Sequence, residues 1–355
     1  MLRRWFIVLI SMIALSLFLG CSSSTDEGDP EITGAEQFEA MYTAASAYIN
    51  GAAPKVVAPA TISANLVSDP DFYTVLDTRN PTDFALGHIT GAYNVDPTTV
   101  LDDIQDIPNF GDKPIIVSCY SGQTAGWVVA ALNIMGYDAS SMTWAHSGFR
   151  HELDKWTSHI GNLLTDGYGG YEADNINNEN GNLADQGAYP TLDLGVTHAD
   201  DVAEARISEV LAMGFSSHAI TYEDMIDDVN YPANYFVINY FTEAQYMGTD
   251  AANATSGHIP GAFQFTPKKS LVIGTDGEGW EDLLKTVPTD KKVVIYCWTS
   301  QHSSQVAFYM NLLGYDAYSL KWGSNQLFHD VLNAHKWVPE SHENDAYEPW
   351  WTPAF

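Results

Sequence analysis

The residues of this 355-residue chain best suited to chemistry are two cysteines in matching settings. Cys119 follows the apolar run Pro114-Ile115-Ile116-Val117-Ser118, and Cys297 follows Lys292-Val293-Val294-Ile295-Tyr296. Each opens a short polar segment: Tyr120-Ser121-Gly122-Gln123-Thr124 in one case, Trp298-Thr299-Ser300-Gln301-His302 in the other. Helical periodicity follows directly, over residues 124–135 and 302–313. A thiol between the end of a buried strand and the start of a helix can be ringed by inward-pointing backbone N–H groups, beside the positive end of the helix. That setting is expected to lower the thiol pKa, generate a nucleophile and cradle an anionic group attached to it. A lone cysteine is otherwise a small buried hydrophobe. Here that would have to hold twice, at equivalent positions.

The elements that must position these cysteines are written twice. Ala131-Leu132-Asn133-Ile134-Met135-Gly136-Tyr137-Asp138-Ala139 matches Tyr309-Met310-Asn311-Leu312-Leu313-Gly314-Tyr315-Asp316-Ala317, and the same offset carries Trp144 onto Trp322 and Cys119 onto Cys297. Upstream, Gly87-His88-Ile89-Thr90-Gly91-Ala92 matches Gly257-His258-Ile259-Pro260-Gly261-Ala262, and Val75-Leu76-Asp77 matches Val237-Ile238-Asn239. The offset changes in two steps, so the second copy carries insertions around residues 248–256 and 273–280. A period this long means duplicated domains rather than a solenoid. Short apolar runs, at residues 73–77 and 114–118 in the first copy, alternate with helical segments, which implies parallel sheets covered on both faces. Residues 166–196 are rich in Gly, Asn and Asp, lack periodicity and read as a linker. A calcium loop around Gly181 fails because Ile176 stands where the first ligand belongs.

Taken together, Asp77-Thr78-Arg79 after a strand, Gly87-His88-Ile89-Thr90-Gly91-Ala92 and the Cys119 loop resemble a rhodanese homology domain, and the second copy resembles another. The resemblance covers roughly residues 60–155 and 220–335. It implies two tandem rhodanese-like domains, residues 35–165 and 197–355, each a central, mainly parallel sheet flanked by helices on both faces. It further implies sulfurtransferase chemistry without cofactor or metal: Cys119 attacks a small anionic sulfur donor such as thiosulfate, forms a persulfide, and yields the sulfur to a thiol or other nucleophilic acceptor. Backbone N–H groups from Tyr120 to Ala125, with Thr124, would bind the anion; Trp298 to His302 would form a second, weaker loop around Cys297. His88 and His258 are implied to be structural, lying away from the cysteine loops.

The departures favour the first copy. The sixth loop residue, often Arg in the family, is Thr124 here and His302 in the second copy, where charge would require protonation. Gly122 is replaced by Ser300, and Asp77-Thr78-Arg79 by Asn239-Tyr240-Phe241. Arg79 is expected to pair with Asp83 in a structural role. Related phosphatases have a Cys-x5-Arg loop; Ala125 and Ser303 stand at the Arg position, which argues against phosphatase activity. His146, Arg150 and His151 read as a solvated helix start. Trp127, Trp144, Trp322 and Phe308 read as core, and Trp337 with Glu348-Pro349-Trp350-Trp351 as a tail docked on the second domain.

The remaining cysteine is a processing signal. Arg3 and Arg4 precede an apolar stretch that ends Phe18-Leu19-Gly20-Cys21, resembling a bacterial lipobox in which Cys21 is lipidated after cleavage. Residues 1–21 are then a signal peptide and 22–34 a polar tether; an uncleaved anchor helix is the other reading. Ser22 resembles the pattern for outer-membrane sorting in a Gram-negative envelope, where the lipid would be the sole membrane contact. With 45 Asp+Glu against 15 Lys+Arg, the net charge of −30 excludes nucleic-acid binding, which needs a basic stripe. The missing loop arginine keeps a second function open: a non-catalytic binding or scaffold lipoprotein for sulfur or chalcogen oxyanions, or for an envelope protein complex.

Overall fold

A computed structural model describes residues 32–170, 186–252, 257–274, 282–339 and 351–353. Cys21, the signal peptide and nearly all of the tether lie outside the described residues, as do Glu348, Pro349 and Trp350. The strands are β1 (Val56–Val57), β2 (Thr74–Asp77), β3 (Gly87–Ile89), β4 (Tyr93–Asn94), β5 (Ile115–Ser118) and β6 (Ala139–Met142) in the first copy. The second copy supplies β7 (Ala219–Ile220), β8 (Tyr235–Asn239), β9 (Phe263–Gln264), β10 (Lys292–Tyr296) and β11 (Asp316–Leu320); β12 (Trp351–Pro353) comes after them.

Each copy builds a five-stranded sheet, ordered β1-β6-β5-β2-β4 and β7-β11-β10-β8-β9. Every pairing within them is parallel. β2 and β5 are buried at every residue, as central strands must be when helices cover both faces. Two tandem α/β domains are therefore present, each with a parallel sheet flanked by helices.

The Gln123–Ile134 and Gln301–Leu312 helices lie against each other, so one continuous core runs from the first sheet to the second through Trp127 and Phe308, ring centroids 4.9 Å apart. Gly126 permits the approach: a Cβ there would stand 2.2 Å from Ser304 Oγ and 2.7 Å from the Gln301 carbonyl. Two glutamines of the second copy cross the seam. Gln301 Oε1 accepts from Trp144 N (3.0 Å), and its Nε2 donates to Met142 O (2.9 Å). Gln305 Oε1 accepts from Tyr48 Oη (2.5 Å) and Lys55 N (2.9 Å).

The chain's arms cross over. The Gly34–Ala47 helix packs on the second copy's Ala199–Met213 helix, with Phe38 stacked on Tyr189 at 4.8 Å. In return, β12 pairs antiparallel with β3 of the first copy, Trp351 opposite Ile89. The expectation that the tail docks on the second domain is thereby corrected for Trp351. Trp337 lies at the seam, 5.3 Å from Trp144, with Nε1 donating to Thr157 Oγ1. Trp127, Trp144 and Phe308 are buried, whereas Trp322 is partly exposed.

Replacing Gly126 with valine should force the two loop helices apart and destabilise the protein by about 1–3 kcal/mol, the usual cost of overpacking. A urea midpoint equal to wild type would contradict this close approach.

Candidate active site

Cys119 sits one residue beyond β5, at the carboxyl edge of the first sheet, where open α/β folds place ligands. Its Sγ accepts from Gly122 N at 3.1 Å. Gly122 takes the left-handed conformation, φ 92°, and a Cβ there would lie 2.2 Å from Gln301 Nε2. Only glycine meets both demands without displacing the seam.

The loop's carbonyls are turned outward and held. His146 N and Ser147 N donate to the carbonyls of Cys119 and Tyr120, both at 3.1 Å, and Trp156 Nε1 donates to Ser121 O at 3.3 Å. Trp144 and Ala145 adopt φ of 61° and 49° to make these contacts, a strained conformation for side-chain-bearing residues that the surrounding bonds enforce. Tyr120 Oη donates to Asp83 and accepts from Asn80 Nδ2 at 2.7 Å. Its pKa is pushed up to about 12, by burial first and then by the Asp83 carboxylate.

Burial overrides the N–H cradle at the sulfur. Cys119 is 2% exposed, and its thiol pKa is raised: loss of water penalises the thiolate more than the N–H groups of Ala125, Ser121, Gly122 and Thr124 favour it. The expected low pKa is therefore corrected. With Thr124 in place of Arg, the loop contributes dipoles and hydroxyls but no full positive charge.

Beneath the loop lies a buried polar group that sequence reasoning assigned otherwise. Arg79 does not pair with Asp83. Its Nε and Nη2 bind Asp77, the latter 2.7 Å from Oδ2, and Nη2 also donates to Gly87 O at 2.7 Å. Asp77 lies two residues back at the end of β2, fully buried, so the guanidinium neutralises it in place, while Asp83 is taken by Tyr120 and Asn80. His146 is likewise fully buried rather than solvated: Nδ1 is 2.8 Å from both Cys119 O and Ser118 Oγ, and Nε2 is 3.3 Å from Asp77 Oδ2. Burial pushes its pKa down to about 4. His151 is exposed, and Arg150 pairs with Glu152 and lies over the Trp351 ring at 4.9 Å.

The second loop is the more buried of the two. Cys297 Sγ accepts from Ser303 N at 3.4 Å, Trp298 packs on Phe241 at 4.6 Å, and Thr299, Ser300 and Gln301 are buried. Ser300 takes the left-handed conformation that Gly122 holds in the first loop, with its hydroxyl donating to Leu320 O. Gln301 is committed to the seam. Burial, then His335 and Lys268, push the His302 pKa down to about 4, so it is neutral at pH 7 and cannot stand in for arginine. His88 and His258 lie in the Gly-His-Ile segments, stacked on Phe84 at 3.8 Å and Tyr246 at 3.6 Å. Among the described residues, no cluster of three His, Cys, Asp or Glu is placed to hold a metal ion.

Two features lacked any sequence signal: the glutamine cross-links, which periodicity does not mark, and the Trp144–Trp156–Trp337 cluster, whose members come from three separated segments.

The family model for the rhodanese-like domain matches residues 60–150 and again 219–329. The thiosulfate sulfurtransferase GlpE of Ectopseudomonas mendocina is 40% identical over 18% of this chain and 56% of its own length, so the chain spans about half of that relative. GlpE of Tolumonas auensis is 32% identical over 21% of this chain and 70% of its own. Among solved structures, a rhodanese-like domain protein from Staphylococcus aureus is 19% identical, with a TM-score of 0.24, over 26% of this chain and 88% of that one.

His146 and His302 bind protons less readily folded than unfolded, so their contribution to stability is complete above about pH 6.5 and is lost as pH falls toward 4. Urea midpoints at pH 7 and 4.5 should drop less in His302→Gln than in wild type; equal drops would contradict a neutral buried His302.

Proposed function

The chain belongs to the rhodanese-like domain family, and we propose that it transfers sulfur through a persulfide on Cys119. The observation that carries this reading is the Cys119 loop itself: a sulfur that accepts from Gly122 N, further N–H groups favouring its thiolate, and carbonyls tied back by residues 146–156. The Cys119 thiolate attacks the outer sulfur of thiosulfate. A new S–S bond forms, the donor's S–S bond breaks, and sulfite departs with the bonding pair. The same N–H groups that partly offset burial at the thiolate would stabilise the developing charge. The outer sulfur then stands about 2 Å beyond Sγ, where a thiolate acceptor removes it.

In this reading the second copy is a scaffold. Its loop residues are spent on the seam and on their own core. A second reading, a non-catalytic binder of sulfur or chalcogen oxyanions or an envelope scaffold, is favoured by one observation: the Cys119 thiol pKa is raised, which leaves little thiolate at neutral pH.

Incubating the purified protein with thiosulfate and reading the intact mass separates the two. A single added sulfur is expected on wild type and Cys297→Ser and not on Cys119→Ser. A wild-type chain left unmodified by several donors would sink the transfer reading and leave the binding one.

We propose also that Cys21 carries the lipid and tethers the protein to a Gram-negative outer membrane. Among the described residues no helix is long and apolar enough to cross a membrane. Cys21→Ser should move the protein from the membrane to the soluble fraction after export; continued membrane association would contradict the anchor.

A further inference from the structure

Three buried groups under the Cys119 loop have no counterpart in the second copy. There Asn239 replaces Asp77, Phe241 replaces Arg79 and Ser324 replaces His146, yet corresponding strands pair in the corresponding parallel order. Asn239 donates to Tyr296 Oη at 2.8 Å and Phe241 packs on Trp298, so uncharged residues fill those places. Ser324 N and Oγ donate to the Cys297 carbonyl, at 3.0 and 3.4 Å. The fold and the carbonyl are thus served without charge or imidazole. A buried ion pair gains little over well-packed uncharged residues of similar volume. What the Asp77–Arg79–His146 group adds therefore falls on the loop it touches, that of Cys119.

The ring's contacts fix where its hydrogen lies. The Cys119 carbonyl, 2.8 Å from Nδ1, can only accept, so Nδ1 carries the hydrogen; the Ser118 hydroxyl, also at 2.8 Å, can share it. With its pKa pushed down to about 4 by burial, the ring holds one hydrogen at pH 7. Nε2 is then bare, and it faces Asp77 Oδ2 at 3.3 Å with no hydrogen-bond partner among the described residues. A carboxylate alone would draw the hydrogen to that nitrogen and turn the Nδ1 lone pair on the Cys119 oxygen. Arg79 opposes this: its Nη2 stands 2.7 Å from the same Oδ2, and its Nε reaches both carboxylate oxygens. The other titratable and charged groups near His146 among the described residues are His88 and, across the Trp351 ring, Arg150.

We propose that His146 is a positioning residue for Cys119: the Asp77–Arg79 pair keeps its hydrogen on Nδ1, and that hydrogen pins the Cys119 carbonyl away from the sulfur. Backbone N and ring Nδ1 of one residue then hold the same oxygen. A carbonyl released toward Sγ would set the negative end of a dipole against the thiolate and against the charge that develops during sulfur transfer. The role rests on the reading that Cys119 is the reacting sulfur.

The test follows iodoacetamide alkylation of Cys119 in the full-length protein against pH, read on the Cys119 peptide by mass. In His146→Leu, which lacks the ring donor, the midpoint should rise and the rate at pH 7 fall about three- to tenfold, the range one hydrogen bond covers. His146→Gln, whose amide keeps an N–H for the carbonyl, should recover most of that rate. A purely structural role would lower the urea midpoint of both variants and leave the alkylation midpoint in place. Equal alkylation midpoints in wild type and His146→Leu would overturn the inference. NMR of the histidine ring nitrogens supplies a second readout that does not depend on His146→Leu folding. The ring signals lost in His146→Gln should be those of a neutral imidazole with its hydrogen on Nδ1 at pH 7. An Nε2–H ring or an imidazolium there would overturn the assignment. Sulfur loading from thiosulfate is followed separately by intact mass. A protein that shows the expected alkylation order and ring signals yet gains no sulfur would defeat the transfer reading alone.

Discussion

The close crossing of the two loop helices is the contact on which the rest depends. Gly126 lets the Gln123–Ile134 helix reach the Gln301–Leu312 helix, and the side-chain amides of Gln301 and Gln305 fix the approach by bonding to the first copy's backbone. Hydrogen bonds of this kind tie position more than they add stability, because each replaces a hydrogen bond to water. Their effect is to set the second copy's residues beside the first copy's cysteine loop. The crowding over Gly122 and the tryptophan cluster beside the loop sit at that crossing. It also explains an asymmetry between the copies: the glutamine that follows Ser300 is used to join them, so the second loop is closed by the same contact that shapes the first.

Electrostatics at Cys119 is a contest between two familiar effects, and the dry one wins. Converging N–H groups favour a thiolate, but removing the sulfur from water disfavours it by more, and among the described residues no charged side chain contributes to reversing the balance. The positive charge close to the loop, Arg79, is occupied with Asp77 one layer down. The first copy thus retains N–H groups that favour a thiolate while lacking a full charge to outweigh burial.

Much of the architecture was legible in the residues. The apolar runs are buried parallel strands because both faces carry helices, and the strand–Cys–helix order puts Cys119 at a sheet edge. What the sequence hid was long-range. Arg79 and Asp83 are correctly spaced for a helix-start pair, but Asp77 is fully buried and must be neutralised first, so it takes the guanidinium. His146 looked solvated among polar neighbours. The need to satisfy the outward carbonyls of Cys119 and Tyr120 pulls its segment inward. The tail's aromatics gave no hint of which copy they cover, because an antiparallel partner for β3 is defined by an edge and not by a pattern.

The crossed arms bear on how the molecule is made. The Gly34–Ala47 helix finds its packing surface only after the second copy has been synthesised, and the open edge of β3 waits for β12, which follows the whole second copy. An unpaired strand edge is a template for pairing with other chains. The first half to leave the ribosome is therefore the last to be completed, and the two sheets share segments across the repeat boundary. Cutting it at the repeat boundary would leave each half without a segment that the other half's sequence encodes.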